Sequence, residues 1–354
     1  MHSPNIVILG AGLSGLATAY LLKQEGISAT ILEARNRLGG RIHTLSPKNE
    51  GPVEMGATWL GKKHTHLIEW LKELNIDITE QFMGNKGYYE PMSVSPPQLV
   101  DLPANEEPSY RIEGGTHTII HALANHLDQK QIRFKNKVTS IRKDNACLTI
   151  NTSGGQFEAD FVVSTLPPKL LADTIAITPS LPDKVYEIAR NTHTWMAESL
   201  KIALTFERPF WRNNHSSGTI FSNVGPVTEM YDHSQPAHSF YALKGFMNES
   251  YYTVSKKERK SLVLEQLRRF YGDNIETCKQ YYETVWKDEP FSYADYENNI
   301  IPHQYNGHSA FQEPYLNDRL LISGSETATH YPGYMDGAVQ SARRSVQQLK
   351  KQLS

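Results

Sequence analysis

The alternation of apolar and polar positions divides the chain into elements before any chemistry is considered. "NIVIL" (5–9) is an apolar run of strand length, "SGLATAYLLKQEG" (14–26) is a helix that Gly26 can close, and "SATIL" (28–32) is a second strand. Strand, helix and strand within about thirty residues make a βαβ unit, which implies a parallel sheet. Leu67, Ile68, Leu71 and Leu74 share one face of an amphipathic helix in "HTHLIEWLKEL" (64–74). Five prolines from Pro91 to Pro108 break regular structure, so this stretch is expected to be a loop, an excursion from the first core.

The pattern then returns to a helix, "THTIIHALANHL" (116–127), and to strands near 137–143, 146–151 and 159–164. "SLKIALTF" (199–206) and "HSFYALKGF" (238–246) alternate like half-buried strands, and "SKKERKSLVLEQLRRFY" (255–271) is a charged amphipathic helix. A last strand, "DRLLIS" (318–323), precedes a helix on which Met335, Ala338, Val339, Ala342, Val346 and Leu349 recur at helical spacing. These boundaries predict an α/β protein. Residues 1–63, 109–190 and 291–354 form one Rossmann-type domain from discontinuous pieces, and 64–108 with 191–290 form an inserted α+β domain.

Composition removes several alternatives. With 39% hydrophobic residues, 21% charged residues and a formal charge of −2, the 354-residue chain gives no electrostatic case for nucleic acid or an anionic membrane. The apolar stretch 6–22 lacks the basic flank of a signal peptide and carries three glycines, and no other run approaches the roughly 18 apolar residues that span a bilayer. Two cysteines, Cys147 and Cys278, make no disulfide framework, which suits a reducing compartment. The expectation is a soluble, cytoplasmic protein, with a homodimer allowed. The residue spacings contain no metal-ligand cluster and no serine or cysteine triad.

Chemistry first appears in "GAGLSG". Gly10 permits a tight turn, Gly12 lets backbone approach a pyrophosphate, and Gly15 lets helix and strand pack closely. Glu33 ends the second strand about 20 residues on, where a carboxylate binds ribose hydroxyls. An acid there argues against a ribose 2′-phosphate and leaves an NAD-like cofactor or FAD. "EARNRLGGR" (33–41) adds two glycines and Arg41, an extension suited to the second phosphate and ribityl chain of FAD.

At this point the chain resembles the flavin-containing amine oxidase family over nearly its full length. "VEMGATWLG" (53–61) is similar to the family's loop beneath the flavin, "IEGGTHTIIHAL" to its glycine-glycine helix start, and "DFVVSTLPPKLL" to the strand leading into the substrate domain. "SGSETATHYPGYMDGAV" (323–339) is close to its C-terminal flavin motif. The resemblance implies a glutathione-reductase-like FAD-binding fold. It implies FAD contacts at Gly10, Gly12, Leu13, Ser14, Gly15, Glu33, Ala34, Arg35, Gly40 and Arg41, then Gly56, Ala57, Thr58, Val138 and Trp286. In the C-terminal motif it adds Gly324, Glu326 (on the ribityl chain), Gly333, Tyr334 and Met335, whose helix N-terminus would face the N1–C2=O edge of the flavin ring.

The same resemblance implies three catalytic positions. Tyr334 and Tyr296 match the two tyrosines of the family's aromatic cage, and Lys201 matches a lysine that holds a water against flavin N5. Alternation alone says otherwise of Lys201: Leu200, Ile202, Leu204 and Phe206 share one face and put the lysine on the solvent side. Asp295 stands where the monoamine oxidases have the cysteine that bonds the flavin, so the FAD is expected to be non-covalent. The Pro91–Pro108 excursion stands where larger members carry a helical subdomain. The implied activity is oxidation of a small-molecule amine by hydride transfer to flavin N5, with O2 as re-oxidant, giving imine or aldehyde and H2O2. A protoporphyrinogen-oxidase-like, desaturase or amino-acid oxidase activity on the same fold, or a non-catalytic flavin-binding protein, stays open at this stage.

Overall fold

The computed structural model describes residues 4–48, 51–104, 106–144, 147–235 and 239–353. A five-stranded sheet is built in the spatial order Ile132–Arg133, Ala29–Leu32, Ile6–Leu9, Phe161–Ser164, Leu320–Ile322, every pair parallel. The chain starts at the middle strand and builds outward in both directions. Two crossovers therefore diverge beside Ile6–Leu9, and that opens a crevice at the strands' carboxyl ends. The central strand has no polar face because both its faces are covered. On one side lie the helices Leu13–Gln24, His117–Asn125 and Met335–Leu353. On the other, Val7, Leu9, Leu32 and Val162 pack against Ile141, Leu148 and Ile150 of the four-stranded sheet formed by 138–143, 148–152, 155–159 and 176–178.

A second layer is a seven-stranded sheet in the order Gln280–Val285, Leu200–Phe206, Tyr241–Met247, Val227–Asp232, Ser216–Ser222, Lys86–Glu90, Gln98–Asp101. Its outer face is closed by the helix Lys256–Tyr271, whose Val263, Leu267 and Phe270 pack on Leu200, Ile202 and Leu204. Its inner face meets Val53 and Met55 through Ala203 and Ala242. Short strands at 44–45, 53–54, 59–61, 78–80 and 109–112 link the two layers. No described helix is long and apolar enough to cross a membrane.

Two expectations change. The stretch from Pro91 to Pro108 is not loop throughout: Gln98–Asp101 pairs antiparallel with Lys86–Tyr89 as the edge of the large sheet. The prolines at 96, 97 and 103 fall outside the paired residues, where no ladder N–H is required. And Lys201 is not solvent-facing, because all seven residues of Leu200–Phe206 are buried. Alternation had correctly separated the faces, but the second face is covered too.

The C-terminal helix also fastens another element. Asp336, fully buried in its first turn, accepts a hydrogen bond from the Leu67 N–H (2.8 Å) at the start of the helix Thr65–Glu73, and its other oxygen accepts from Gln340 Nε2 (2.7 Å). It is a cap delivered across space, since no side chain of His64 caps that helix. Asp336→Ala is expected to strand the Leu67 N–H and cost about 1–3 kcal/mol, read as a lower urea midpoint at unchanged m-value. An unchanged midpoint would show that the helix end has other partners.

Candidate active site

The crevice at the end of Ile6–Leu9 is shaped by backbone. Gly10 has φ +99°, and a Cβ on Gly15 would run into the Gly10 carbonyl, so the helix Leu13–Gln24 can start this close to the strand only with glycine there. Gly39 and Gly40, also at positive φ, turn the next segment back onto it, with Gly39 N–H donating to Ala11 O (2.9 Å). Glu33 is buried beside this turn. One of its oxygens accepts from the Ala11 N–H and the other from the Arg35 N–H, both at 2.8 Å. A carboxylate has room for further donors beyond these two.

Gly12 differs from its neighbours. Its φ is an ordinary −76°, and a Cβ would meet nothing closer than Gly39 O at 3.9 Å. The protein itself does not require glycine at this position; the space belongs to whatever lies in the crevice. That space, the backbone N–H groups at a helix start and the buried Glu33 carboxylate beside them form the donor and acceptor set of a dinucleotide site. FAD fits it.

From there a single cleft runs past Ala34, Arg35, Val138 and Phe291 at one end, and past Arg41, Gly56, Ala57, Thr58 and Trp286 to Lys201, Tyr334 and Trp195 at the other. Trp286 is fixed by its indole N–H donating to Met55 O (2.8 Å). Lys201 Nζ donates to Gly56 O (2.7 Å) and lies over the Phe246 ring (5.1 Å). Burial pulls this amine from the usual lysine range down to about 8, with Glu54 opposing. The helix Met335–Leu353 opens into the cleft through Gly333, Tyr334, Met335 and Ala338.

Most of the residues singled out from the sequence line this one cleft: Gly10, Gly12, Leu13, Ser14, Glu33, Ala34, Arg35, Gly40, Arg41, Gly56, Ala57, Thr58, Val138, Lys201, Trp286, Gly333, Tyr334 and Met335. Four do not. Gly15 and Gly324 shape backbone behind it, the latter at φ +104° against Thr165 O. Glu326 is wholly buried, and its two oxygens are taken by Arg41 (2.6 and 2.8 Å), so it anchors a cleft residue instead of touching the cleft itself. Tyr296 is the larger correction. Its hydroxyl accepts from the Thr194 N–H and donates to Thr192 O, both 2.9 Å, Lys169 sits over its ring (5.0 Å), and it is not among the residues that line the cleft.

Three rings stand beside Tyr334, His64 (5.5 Å between centroids), Trp195 (5.8 Å, 34° between planes) and His303 (6.0 Å), and of these it is Trp195, missed in the sequence, that lines the cleft. His303 stacks on the indole at 4.2 Å. Gly333 makes room for it, since a Cβ there would strike Trp195 Cβ, and Met196 beside it has φ +59°. The signal that could have found Trp195 is its place in the chain, six residues before Lys201 on the approach to the same strand. Asp295 is largely exposed and 3.7 Å from Lys287. Among the described residues no cysteine lines the cleft, and no group of three or more His, Cys, Asp or Glu could hold a metal.

Comparison with known proteins gives the family and the fold. The model of the flavin-containing amine oxidoreductases matches residues 13–91 and 87–350. Amine oxidase [flavin-containing] B of Homo sapiens is 22% identical over 456 aligned positions, covering 98% of this chain and 86% of the relative. The "Probable flavin-containing monoamine oxidase A" of Dictyostelium discoideum is 23% identical over 99% of this chain and 98% of its own. In fold the chain is similar to putrescine oxidase solved with putrescine bound (TM-score 0.84, 21% identity, 98% and 99% of the two chains). It is also similar to cyclohexylamine oxidase from Brevibacterium oxydans IH-35A (TM-score 0.87, 18% identity, 99% and 100%). The chain belongs to the flavin-containing amine oxidoreductase family, an oxidoreductase acting on amines with a flavin as its cofactor.

Proposed function

We propose that the protein is an FAD-dependent oxidase of a small amine, with FAD held without a covalent bond and the amine presented between Lys201 and the Tyr334–Trp195 rings. The observation that carries the reading is one continuous cleft joining the phosphate loop to that lysine and those rings. The chemistry that bound FAD supplies is acceptance of hydride from the amine's α-carbon, with O2 as the final acceptor and imine or aldehyde and H2O2 as products.

The chain's own residues divide the remaining work. The N–H groups after Gly10 and Gly12 would hold the phosphates, Glu33 the ribose, and the Val138 backbone the adenine end. The first turn of Met335–Leu353 directs unpaired N–H groups and the positive end of the helix dipole into the cleft, which favours negative charge developing there. Tyr334 and Trp195 act as walls that leave a narrow amine few orientations. Non-covalent attachment is supported by the absence of any cysteine among the described lining residues.

The substrate end also bears on the competing readings. An amino-acid oxidase needs an arginine fork for the substrate carboxylate, which Lys201, a single ammonium already held on Gly56 O (2.7 Å), does not supply. The two arginines that line the cleft are both committed, Arg35 to Glu289 (2.9 Å) and Arg41 to Glu326 (2.6 Å). This favours an amine without a neighbouring carboxylate.

Acid or denaturant is expected to release intact FAD from the purified protein; flavin retained on the precipitated chain would contradict the attachment. Gly12→Val is expected to keep the circular dichroism of the parent while flavin content falls tenfold or more, roughly 1.4 kcal/mol of binding, because the fold has room for the side chain and FAD does not. A variant that still co-purified with a full complement of flavin would remove Gly12 from the site.

The walls have their own test in H2O2 release during amine turnover. Trp195→Ala and Tyr334→Ala should each lower kcat/KM at least tenfold, about 1.4 kcal/mol of alignment lost in the transition state. Tyr296→Phe should leave kcat/KM close to the parent value, since its hydroxyl serves the Thr192–Thr194 turn. Parent-like turnover by Trp195→Ala would return the second wall to another residue.

A further inference from the structure

A second lysine lies behind the first. In the large sheet Ala203 faces Lys244 and Lys201 faces Phe246 across the same antiparallel pair, so the two lysines are diagonal neighbours on one face, roughly 7–8 Å apart at their Cα atoms. Lys244 is 0% exposed. Its Nζ bonds Thr58 Oγ1 and lies 4.6 Å from the centre of the Trp59 ring. Thr58 Oγ1 in turn donates to Gly56 O (3.1 Å), the same carbonyl that receives Lys201 Nζ (2.7 Å). Both amines therefore converge on the three-residue loop that lines the cleft.

The carboxylate whose charge acts on both amines is Glu54, 2% exposed. It accepts from Thr44 Oγ1 with both oxygens (2.9 and 3.0 Å) and from the Thr116 N–H (2.5 Å). Two donors, the Thr44 hydroxyl shared between the oxygens and the Thr116 N–H, and no acceptor describe an ionised carboxylate, held in that form against burial, which pushes its pKa upward. The other charged or titratable groups around Lys244 are already occupied. Arg111 bonds His233 Nδ1 (3.0 Å) and Ser234 O (2.8 Å), and Asp232 is paired with Arg212 (2.7 Å). Tyr231, opposite Lys244 on the neighbouring strand, donates to Glu229 (2.8 Å), and Tyr282 faces Ala203.

Against Arg111 and Arg212 the cluster holds two carboxylates, Asp232 and Glu54, so two protonated lysines would leave two surplus cations in a dry interior, a costly arrangement, whereas with one protonated lysine Glu54 is shared between it and Arg111. Lys201 reaches the cleft and Lys244 does not. Resting on the assignment of Lys201 to the reacting end, we propose that this cluster carries one lysine cation only, on Lys201, that Glu54 is the counter-ion retaining it, and that Lys244 is a neutral amine positioning Thr58. Burial acts in the same direction, lowering Lys244 well below the ordinary lysine range, with the charge of Lys201 adding to it. A site holding a single titratable cation resists a second, so an amine is taken up neutral, or as ammonium only when Lys201 releases its proton.

The test is the midpoint potential of the bound flavin measured against pH, which reports a nearby charge without turnover. The parent is expected to show a break near pH 8, from Lys201, that Lys201→Met lacks. Glu54→Gln should move the break down by roughly one pH unit or more, and Lys244→Met should leave it in place. A parent without a break, or a break that survives in Lys201→Met, would remove the assignment of Lys201 and the proposal with it. A break lost in Lys201→Met but moved upward in Lys244→Met would keep Lys201 and overturn the proposal, because Lys244 would then carry charge. If Glu54→Gln does not fold, the Lys244→Met curve decides alone.

Discussion

The ion pair between half-buried Arg41 and wholly buried Glu326 is the constraint on which the cleft depends. It joins residues 285 apart in sequence, bringing the glycine turn after the second strand against the C-terminal motif. Burial pushes the Glu326 carboxyl upward, but the charge and hydrogen bonds of Arg41 hold it below its usual range. Removing the arginine would leave an uncompensated buried charge, a loss on the order of 3–5 kcal/mol. The same guanidinium reaches Trp195 O (3.3 Å) and Ser325 Oγ (2.8 Å). One side chain thus fixes the floor of the cleft, the start of the last helix and the aromatic wall.

From that joint the two layers take different tasks. The parallel sheet supplies backbone: glycines that allow close approach, a helix start, a buried acid. The large antiparallel sheet supplies side chains, above all the two lysines that its register puts on one face. Members of the family can be considerably longer. The human relative aligns over 456 positions against 354 residues here, so at least 102 (456 − 354) of those positions have no counterpart in this chain. The two blocks matched to the family model overlap at 87–91, the strand Lys86–Glu90 and the proline that follows it. At this place the chain has only a short edge hairpin, which carries exposed Tyr89, Met92, Val94 and Leu99.

What was legible in the sequence follows from what each signal encodes. Gly10, Gly12 and Gly15 were readable because their spacing is a backbone requirement, and the helix stripes at 64–74 and 335–349 because burial repeats with the helical period. Lys201 was half legible: alternation says which residues share a face, not what covers the other one. Tyr296 was set in the cleft and Trp195 missed through the same limit. An offset from Trp286 cannot show that the Tyr296 hydroxyl is taken up by Thr192 and Thr194 and that the residue does not line the cleft. The Gln98–Asp101 strand was hidden by prolines that flank it without interrupting its pairing.

The central claim is that flavin and amine meet in one cleft beside Lys201. Anaerobic mixing of the purified, flavin-loaded protein with a panel of amines, followed at the visible flavin band, tests it most directly. The account predicts bleaching by small amines, no bleaching by the corresponding α-amino acids, and recovery of the band when O2 is admitted. A flavin band that no amine bleaches, in protein carrying its full complement of FAD, would contradict it.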